Sequence, residues 1–396
     1  MNGFHALRAS RTTAAALATL AAFTDILAYS IAVPVLPDLS RRVGASPTTI
    51  GFLFAAFGVT LLATSVPVGA LSDRLGRRGP LIAGAAALTA STWLFAVANS
   101  LTWLFLARLV QGAADAITWV VGMALIADLY EPDERGRVMG LFMAGTTVGY
   151  MLGPSLGGWL YEAGGPRVPF FAVTGLSALC TIGFVWMKAP TLSISGENAT
   201  LRQLLRVRAV AICACAVMLG GGTLAMLEPT LSLYLGEHVG LGPSRIGLVF
   251  GASAVIAAVL HPIVGRIADR KGGRWLMHAG LVGMAVMLPV LYQINTFPRA
   301  LAINAVFTVA IAAMITPSLT YMAEATSQAG VKSFGVAYGA YNVAWAIGLL
   351  LGPSIGGAAY ERFGFQALTW VWAACLLPLT IMVARAQTDR MTNTPV

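Results

Sequence analysis

The chain has 396 residues, of which 57% are hydrophobic and only 10% charged, against about 25% charged in an ordinary soluble domain. That balance excludes a water-soluble globular protein and places the chain in a bilayer. The net charge of +9 calls for no nucleic-acid partner, because the basic residues follow the ends of the apolar segments.

Apolar stretches long enough to cross a hydrocarbon core of about 30 Å recur along the whole length. They run at about 14–37, 48–71, 80–98, 101–128, 137–160, 167–188, 207–235, 244–268, 275–294, 298–323, 331–358 and 366–386, twelve in all. The opening MNGFHALRASRTTAAALATLAAF has the basic start of a signal peptide. Its apolar run, however, continues past Asp25 to Pro37 with no cleavage signal, so it is read as the first span. An even number of spans puts both termini on one side. That side holds Arg8, Arg11, Arg74, Arg77, Arg78, Arg135, Arg137, Lys188, Arg202, Arg206, Arg208, Arg266, Arg270, Lys271, Arg274, Lys332, Arg385 and Arg390, against Arg41, Arg42, Arg167, Arg245, Arg299 and Arg362 on the other. The excess of positive charge makes the terminal side cytoplasmic. Cys180, Cys213, Cys215 and Cys375 all fall in apolar spans without metal-ligand spacing, and they read as packing residues.

The sequence is written twice. RRVGASPTTIGFLF at 41 aligns with EHVGLGPSRIGLVF at 237, PVGALSDRLGRR at 67 with IVGRIADRKGGR at 263, and GYMLGPSLGGWLYE at 149 with GLLLGPSIGGAAYE at 348. Two six-helix halves follow, 1–188 and 207–396, joined by a polar stretch at 189–206 that reads as a cytoplasmic linker. Parallel halves of this kind, with a midplane site between them, build many secondary transporters. Along its full length the chain resembles the major facilitator superfamily. The resemblance implies an all-α membrane protein of twelve transmembrane helices in two pseudo-symmetric halves, working as a monomer.

Gly69, Asp73, Arg74, Arg77 and Arg78 resemble the superfamily's cytoplasmic motif between spans 2 and 3. Gly69 permits close helix approach, Asp73 can meet a cation or a helix N-terminus, and the arginines suit an anionic inner leaflet. A basic turn that only fixes topology would use the same residues. Their recurrence as Gly265, Asp269, Arg270 and Arg274 favours a latch that holds the cytoplasmic side closed in an outward-facing state. In span 4, Arg108, Gln111 and Asp115 are spaced i, i+3, i+7 and share one face. They resemble a family motif in which an intramembrane Arg takes part in proton coupling, although Asp115 replaces a small residue. A structural Arg108–Asp115 pair is the alternative. In span 5, Gly149, Gly153, Pro154, Gly157 and Gly158 resemble the motif that marks antiporters, copied at Gly348, Gly352, Pro353, Gly356 and Gly357. Glycines four apart also serve as a packing device.

Asp25 sits near the middle of span 1, and Pro34 and Pro37 are expected to break that helix toward its extracellular end. In LAMLEPTLSLYL, Glu228 stands directly before Pro229, which removes a backbone donor and disfavours a helical Glu228; a kinked or loosened span 7 is expected there. Asp25 with VPVLPD, then AMLEPTL, GRW at 273–275 and YGAYNVAWAIGLLLGPSIGGA at 338–358 look like the vesicular amine transporter branch of the drug:proton antiporters. By that resemblance Asp25 meets a substrate ammonium group and Glu228 shares substrate or proton binding. The branch's acid in span 10 or 11 is Asn342 here, its span 2 Lys is Phe57, and that Lys's partner falls at about Leu376. Burial favours a neutral carboxyl and an approaching cation an ionised one, so one acid can release a proton as a cation arrives.

Tyr29, Trp119, Tyr234, Tyr341 and Trp345 are candidates to wall a cationic or aromatic substrate, with packing the alternative for each. His261 and Glu324 read as packing and interfacial residues. There is no HExxH metal motif, GxSxG elbow or Walker loop, so no enzyme, metal or organic cofactor is expected; protons are the coupling ion. The expected activity is proton-coupled export of small cationic or amphipathic molecules such as drugs or amines. Export of a neutral metabolite or sugar is the alternative. The Ala-, Gly- and Arg-rich composition fits a multi-pass protein of the inner (plasma) membrane.

Overall fold

The structure, a computed structural model, describes residues 2–187, 208–271, 273–328 and 334–391. Its elements in chain order are α1 (Asn2–Ser30), a 3-10 turn (Val33–Val35), α2 (Leu36–Val43), α3 (Pro47–Leu75), α4 (Arg78–Val97), α5 (Leu101–Leu129), α6 (Pro132–Gly164) and α7 (Val168–Trp186). After the linker come α8 (Arg208–Glu237), α9 (Pro243–Lys271), α10 (Gly273–Val290), a second 3-10 turn (Leu291–Gln293), α11 (Phe297–Gln328) and α12 (Phe334–Met391). The linker at 189–206 lies outside the described residues.

Among the described residues, ten stretches are long and apolar enough to cross a membrane. One of them, Tyr341–Val383, is two helices, because Gly364 interrupts α12 at φ 79° and ψ 169°, a conformation that glycine alone adopts readily. The 33-residue α6 completes the twelve expected spans; its charged start and many glycines dilute its apolar character. Large side chains such as Val66, Trp159, Leu179 and Val259 point outward and are exposed, as a lipid-facing surface requires.

Prolines act differently at the two positions singled out in the sequence. α1 ends at Ser30, Pro34 lies in the 3-10 turn, and Pro37 falls in the first turn of α2, so span 1 breaks where its prolines stand. α8, in contrast, runs unbroken through Pro229, which corrects the expectation of a loosened segment around Glu228. A proline inside a helix removes one hydrogen bond, and the turns on either side carry α8 across it.

The chain divides into two compact units. The first comprises Met1–Ala45, Ala56–Ser195 and Gly242–Gly251; the second comprises Ser46–Ala55, Gly196–Leu241 and Ala252–Val396. Each unit therefore includes about ten residues of a helix start that the sequence repeat assigns to the other half. In the first unit, Glu162 at the end of α6 accepts hydrogen bonds from the Ser244 N–H at 2.9 Å and the Ser244 hydroxyl at 2.6 Å, satisfying a free donor at the start of α9. In the second, Glu361 accepts the Thr48 N–H at 2.9 Å at the start of α3. Hydrogen bonds from Thr48 and Ser46 hold the Glu361 carboxyl below its usual range. The two acids occupy matching places in the repeat, and both cap helix N-termini.

Inside each unit the glycine motif sets how closely two helices approach. In the first, α6 packs on α1: a Cβ at Gly149 would meet the Phe23 carbonyl at 2.6 Å, one at Gly153 would strike Ser30, and one at Gly157 the Ile31 carbonyl. In the second, α12 packs on α8: a Cβ at Gly348 would meet the Met218 carbonyl at 2.5 Å, one at Gly352 the Gly222 carbonyl, and one at Gly356 the Met226 side chain. Backbone lies against backbone in both, which no larger residue permits. The Gly153→Ala and Gly352→Ala variants are each expected to lose about 1–3 kcal/mol by overpacking, read as a lower Tm in detergent. Gly136→Ala and Gly175→Ala, where nothing lies within 4 Å, should leave Tm unchanged or raised.

Candidate functional site

The first unit gathers its sequence-predicted polar residues around α1 and α5. Asp25 and Tyr29 lie one turn apart on α1, and both are buried, Asp25 with 2% exposure. Across from them, α5 presents Arg108 and Gln111, each 1% exposed, and Asp115 two turns beyond Arg108. Arg108 Nη1 donates to Gln111 Oε1 at 3.0 Å. Its guanidinium carbon lies 5.4 Å from the centre of the Tyr29 ring and 5.2 Å from that of Phe95. A desolvated cation held against an aromatic face gains about 2 kcal/mol, which offsets part of the cost of burying Arg108.

The Asp25 carboxyl on α1 and the Asp115 carboxyl on α5 face each other. The i, i+7 spacing of Arg108 and Asp115 had grouped Asp115 with its own helix. What it reaches is the acid of the neighbouring helix. Two aromatic residues that sequence reasoning did not assign complete the cluster. Phe57, at the position where a lysine was expected, packs on Tyr29 with ring centroids 4.9 Å apart. Phe95, beneath Arg108, is stacked on Phe170 at 5.3 Å. The signal for Phe57 was present in the missing lysine; Phe95 carried none. Trp119 meets Phe142 edge-on at 5.7 Å within the hydrophobic core, which makes it a packing residue.

The second unit is simpler. Glu228 on α8 is 5% exposed. Trp345 on α12 covers Gly221, where a Cβ would meet its ring at 2.9 Å. Gly221 and Glu228 are seven residues apart and share a face of α8, about 10 Å along the axis. Tyr341 stacks on Trp345 with centroids 6.4 Å apart and planes at 10°, and the Ser318 hydroxyl donates to the Tyr341 oxygen at 3.4 Å. Asn342 is half-buried on the same helix. Near Glu228 α8 is also tied to α12 by the Trp372 indole N–H, which donates to the Thr223 hydroxyl at 2.9 Å. Tyr234 serves structure: its hydroxyl donates to the Tyr292 and Ile294 carbonyls at 2.8 and 3.1 Å and its ring stacks on Phe365 at 4.4 Å. The His261 ring nitrogen Nδ1 lies 2.7 Å from the Thr316 hydroxyl. Among the described residues no group of His, Cys, Asp and Glu is arranged to hold a metal.

The motif between α3 and α4 closes around Arg77. Its Nε donates to Asp128 Oδ2 at 2.8 Å, and its Nη1 donates to the Ser72 hydroxyl at 2.6 Å and to Asp73. One guanidinium thus joins the end of α3 to the end of α5. Arg78 donates to the carbonyls of Phe184 and Val185 at the end of α7, so consecutive arginines tie together three helix ends. Arg74 points outward and is exposed. In the repeated copy, Gly265 lies 3.8 Å from Thr316 by its would-be Cβ and Arg270 is exposed, while the Asp269 side chain falls outside the described residues. Arg77→Lys removes the planar fork that reaches three acceptors at once. It should lower Tm, whereas Arg74→Lys should leave Tm unchanged.

Comparison with known proteins places these features. Residues 18–227 and 210–395 match the family model described as Major Facilitator Superfamily. The human synaptic vesicular amine transporter is 30% identical over 326 residues, covering 81% of this chain and 63% of that protein. The vesicular acetylcholine transporter of Drosophila melanogaster is 26% identical over 404 residues, covering 90% of this chain and 68% of its own. The chain therefore spans about 63% of the length of the human amine transporter it matches. Among solved structures, a bacterial homolog to the human lysosomal transporter Spinster, inward-facing and occupied, superposes with a TM-score of 0.85 at 15% identity, covering 96% of this chain and 97% of that one. The nucleoside transporter NupG gives 0.78 at 13% identity, covering 94% and 99%; both likenesses bear on the fold alone. By sequence match and by fold, the chain belongs to the major facilitator superfamily, and the relatives it matches are transporters, not enzymes.

Proposed function

We propose that this protein is a proton-coupled antiporter that exports small organic cations, amines or amphipathic drugs, by alternating access. The observation that carries this reading is a buried acid in a membrane-spanning helix of each unit, Asp25 on α1 and Glu228 on α8. Acids at such depth are costly unless they serve a pathway or a partner. A carboxyl in this setting is occupied by a proton or faces a cation, and exchange of one for the other links the two fluxes.

The aromatic side chains support a cationic cargo. Tyr29 and Phe57 in the first unit, and Tyr341 and Trp345 in the second, offer π faces within the same unit as each acid. The identity to vesicular amine and acetylcholine transporters points the same way. On this reading Arg108 and Gln111 orient the first acid, the Arg77 network and the two glycine motifs serve the conformational change, and the protein works as a monomer in the inner membrane with both termini cytoplasmic.

The test is substrate-triggered proton release from the detergent-solubilised protein, scanned over organic cations and neutral metabolites. Cations are expected to release protons, and Asp25→Asn and Glu228→Gln should each abolish most of the release. Release that is unchanged in both variants would overturn the assignment of these acids. Binding of neutral compounds alone would replace the cation exporter with an exporter of a neutral metabolite or sugar.

A further inference from the structure

Beyond its buried acid, the second unit buries an amide in a membrane-spanning helix. Asn304 on α11 is 5% exposed, and it stands in the repeat where Arg108 stands on α5. The offset that carries the first residue of α5, Leu101, onto the first residue of α11, Phe297, also carries Arg108 onto Asn304. The same offset carries the start of α3, Pro47, onto the start of α9, Pro243, and Phe57 onto Ser253. Packing follows that register: a Cβ at Gly84 on α4 would lie 3.6 Å from the Ala114 carbonyl of α5, and one at Gly280 on α10 would lie 2.8 Å from the Ala310 carbonyl of α11.

Asn304 Nδ2 donates to the Ser253 hydroxyl at 2.7 Å, and the Thr308 hydroxyl donates to the Asn304 backbone carbonyl, also at 2.7 Å. A carboxamide has two donors and an oxygen that accepts twice. The bond to Ser253 uses one donor, and Oδ1 accepts none among the described residues. A second hydroxyl would be enough to pin α9 to α11, with no surplus polar groups to carry into a bilayer, where unsatisfied ones are costly. The surrounding positions of the repeat changed in the opposite sense: Gln111 and Asp115 are replaced by Phe307 and Ile311, both buried. Nor does the amide sit on the lipid side of α11, which Val306 and Val309 mark by their exposure; it lies about 200° around the helix from Val306.

We propose that Asn304 is a hydrogen-bonding subsite for the cargo, and that the cargo it selects is an organic cation bearing a hydroxyl group. The proposal rests on the antiport reading above and adds what the second unit recognises besides charge. Ser253 holds Nδ2 and so fixes the plane of the amide. Oδ1 then accepts from the hydroxyl, whose own oxygen can in turn accept the remaining amide N–H. The exchange of a guanidinium for a neutral amide fits this division: the acids meet the charge of the cargo, and Asn304 reads a neutral polar group on it. A cation without the hydroxyl leaves the amide unsatisfied and binds more weakly.

Calorimetric binding to the purified full-length protein in detergent tests the subsite. The probes are phenethyl-trimethylammonium and its two derivatives that carry one hydroxyl, on the ring or on the chain, so charge is constant across the set. At least one hydroxylated ion is expected to bind roughly tenfold tighter than the parent. Asn304→Leu and Asn304→Ala should erase that preference and leave the affinity for the parent ion unchanged. Ser253→Ala, which frees the amide to turn, should reduce the preference without erasing it. Thermal melts accompany each variant, and Asn304→Thr, too short to reach the same hydroxyl, gives the same reading should the apolar variants fail to fold. A wild-type protein without the preference, a preference that survives loss of Asn304, or equal weakening of all three ions would overturn the proposal; the last would make Asn304 a packing residue. Cations that release protons but bind with no regard to Asn304 leave antiport standing and remove the subsite. An Asn304-dependent preference among cations that release no protons leaves the subsite and removes antiport. Failure of all three ions to bind removes both.

Discussion

A carboxyl group on α1 is buried in a segment made mostly of alanine and large apolar residues, and much of what is placed around it follows from the cost of having it there. α5 supplies Arg108, Gln111 and Asp115 on one face, α3 and α4 supply Phe57 and Phe95, and together they surround Asp25 and Tyr29 with donors, charge and π faces. The ionisable groups among them are costly alone at this depth. Arg108 is held against the Tyr29 and Phe95 rings and bonds Gln111, which offsets part of that cost.

The helices can deliver those side chains only because they approach closely. α1 is held on its other face by α6, where Gly149, Gly153 and Gly157 lie against the α1 backbone at Phe23, Ser30 and Ile31. α1 ends at Ser30, level with Gly153, so the break caused by Pro34 falls where α6 already touches the chain. The second unit repeats the arrangement with α8 and α12, and it is α8 that carries Glu228. The glycine motif thus has a packing role in both units, and each time the helix it grips is the one that bears the buried acid.

The periphery follows a different physics. Arg77 and Arg78 bind helix ends through carboxylates and carbonyls, and Glu162 and Glu361 cap helix starts through backbone N–H groups. These contacts are partly solvated, local and made of charged hydrogen bonds, in contrast to the backbone-on-backbone contact of the glycine stripes. Contacts of this kind are individually modest and can be remade, whereas a glycine stripe tolerates no change in shape. That division places rigidity beside the acids and exchangeable contacts at the helix ends.

The sequence by itself determined the class of fold, the number of spans, the internal repeat and which acids lie inside apolar runs, because apolar length, repeated motifs and a charge inside an apolar run are local properties of a chain. It also marked the glycine motifs by their recurrence and Arg77 by its place in the cytoplasmic motif. Only the tertiary structure decided which groups meet. Asp115 reads along its own helix as a partner for Arg108, yet it faces Asp25 on another helix; Phe57 occupies a lysine's place and packs on Tyr29; Tyr234 and Trp119, grouped by residue type with substrate-facing aromatics, are engaged in packing. Pro229 leaves α8 continuous because a helix held on its neighbours can lose one hydrogen bond without opening. Spacing along a helix fixes the face a side chain occupies, while the helix that face meets depends on how the bundle packs.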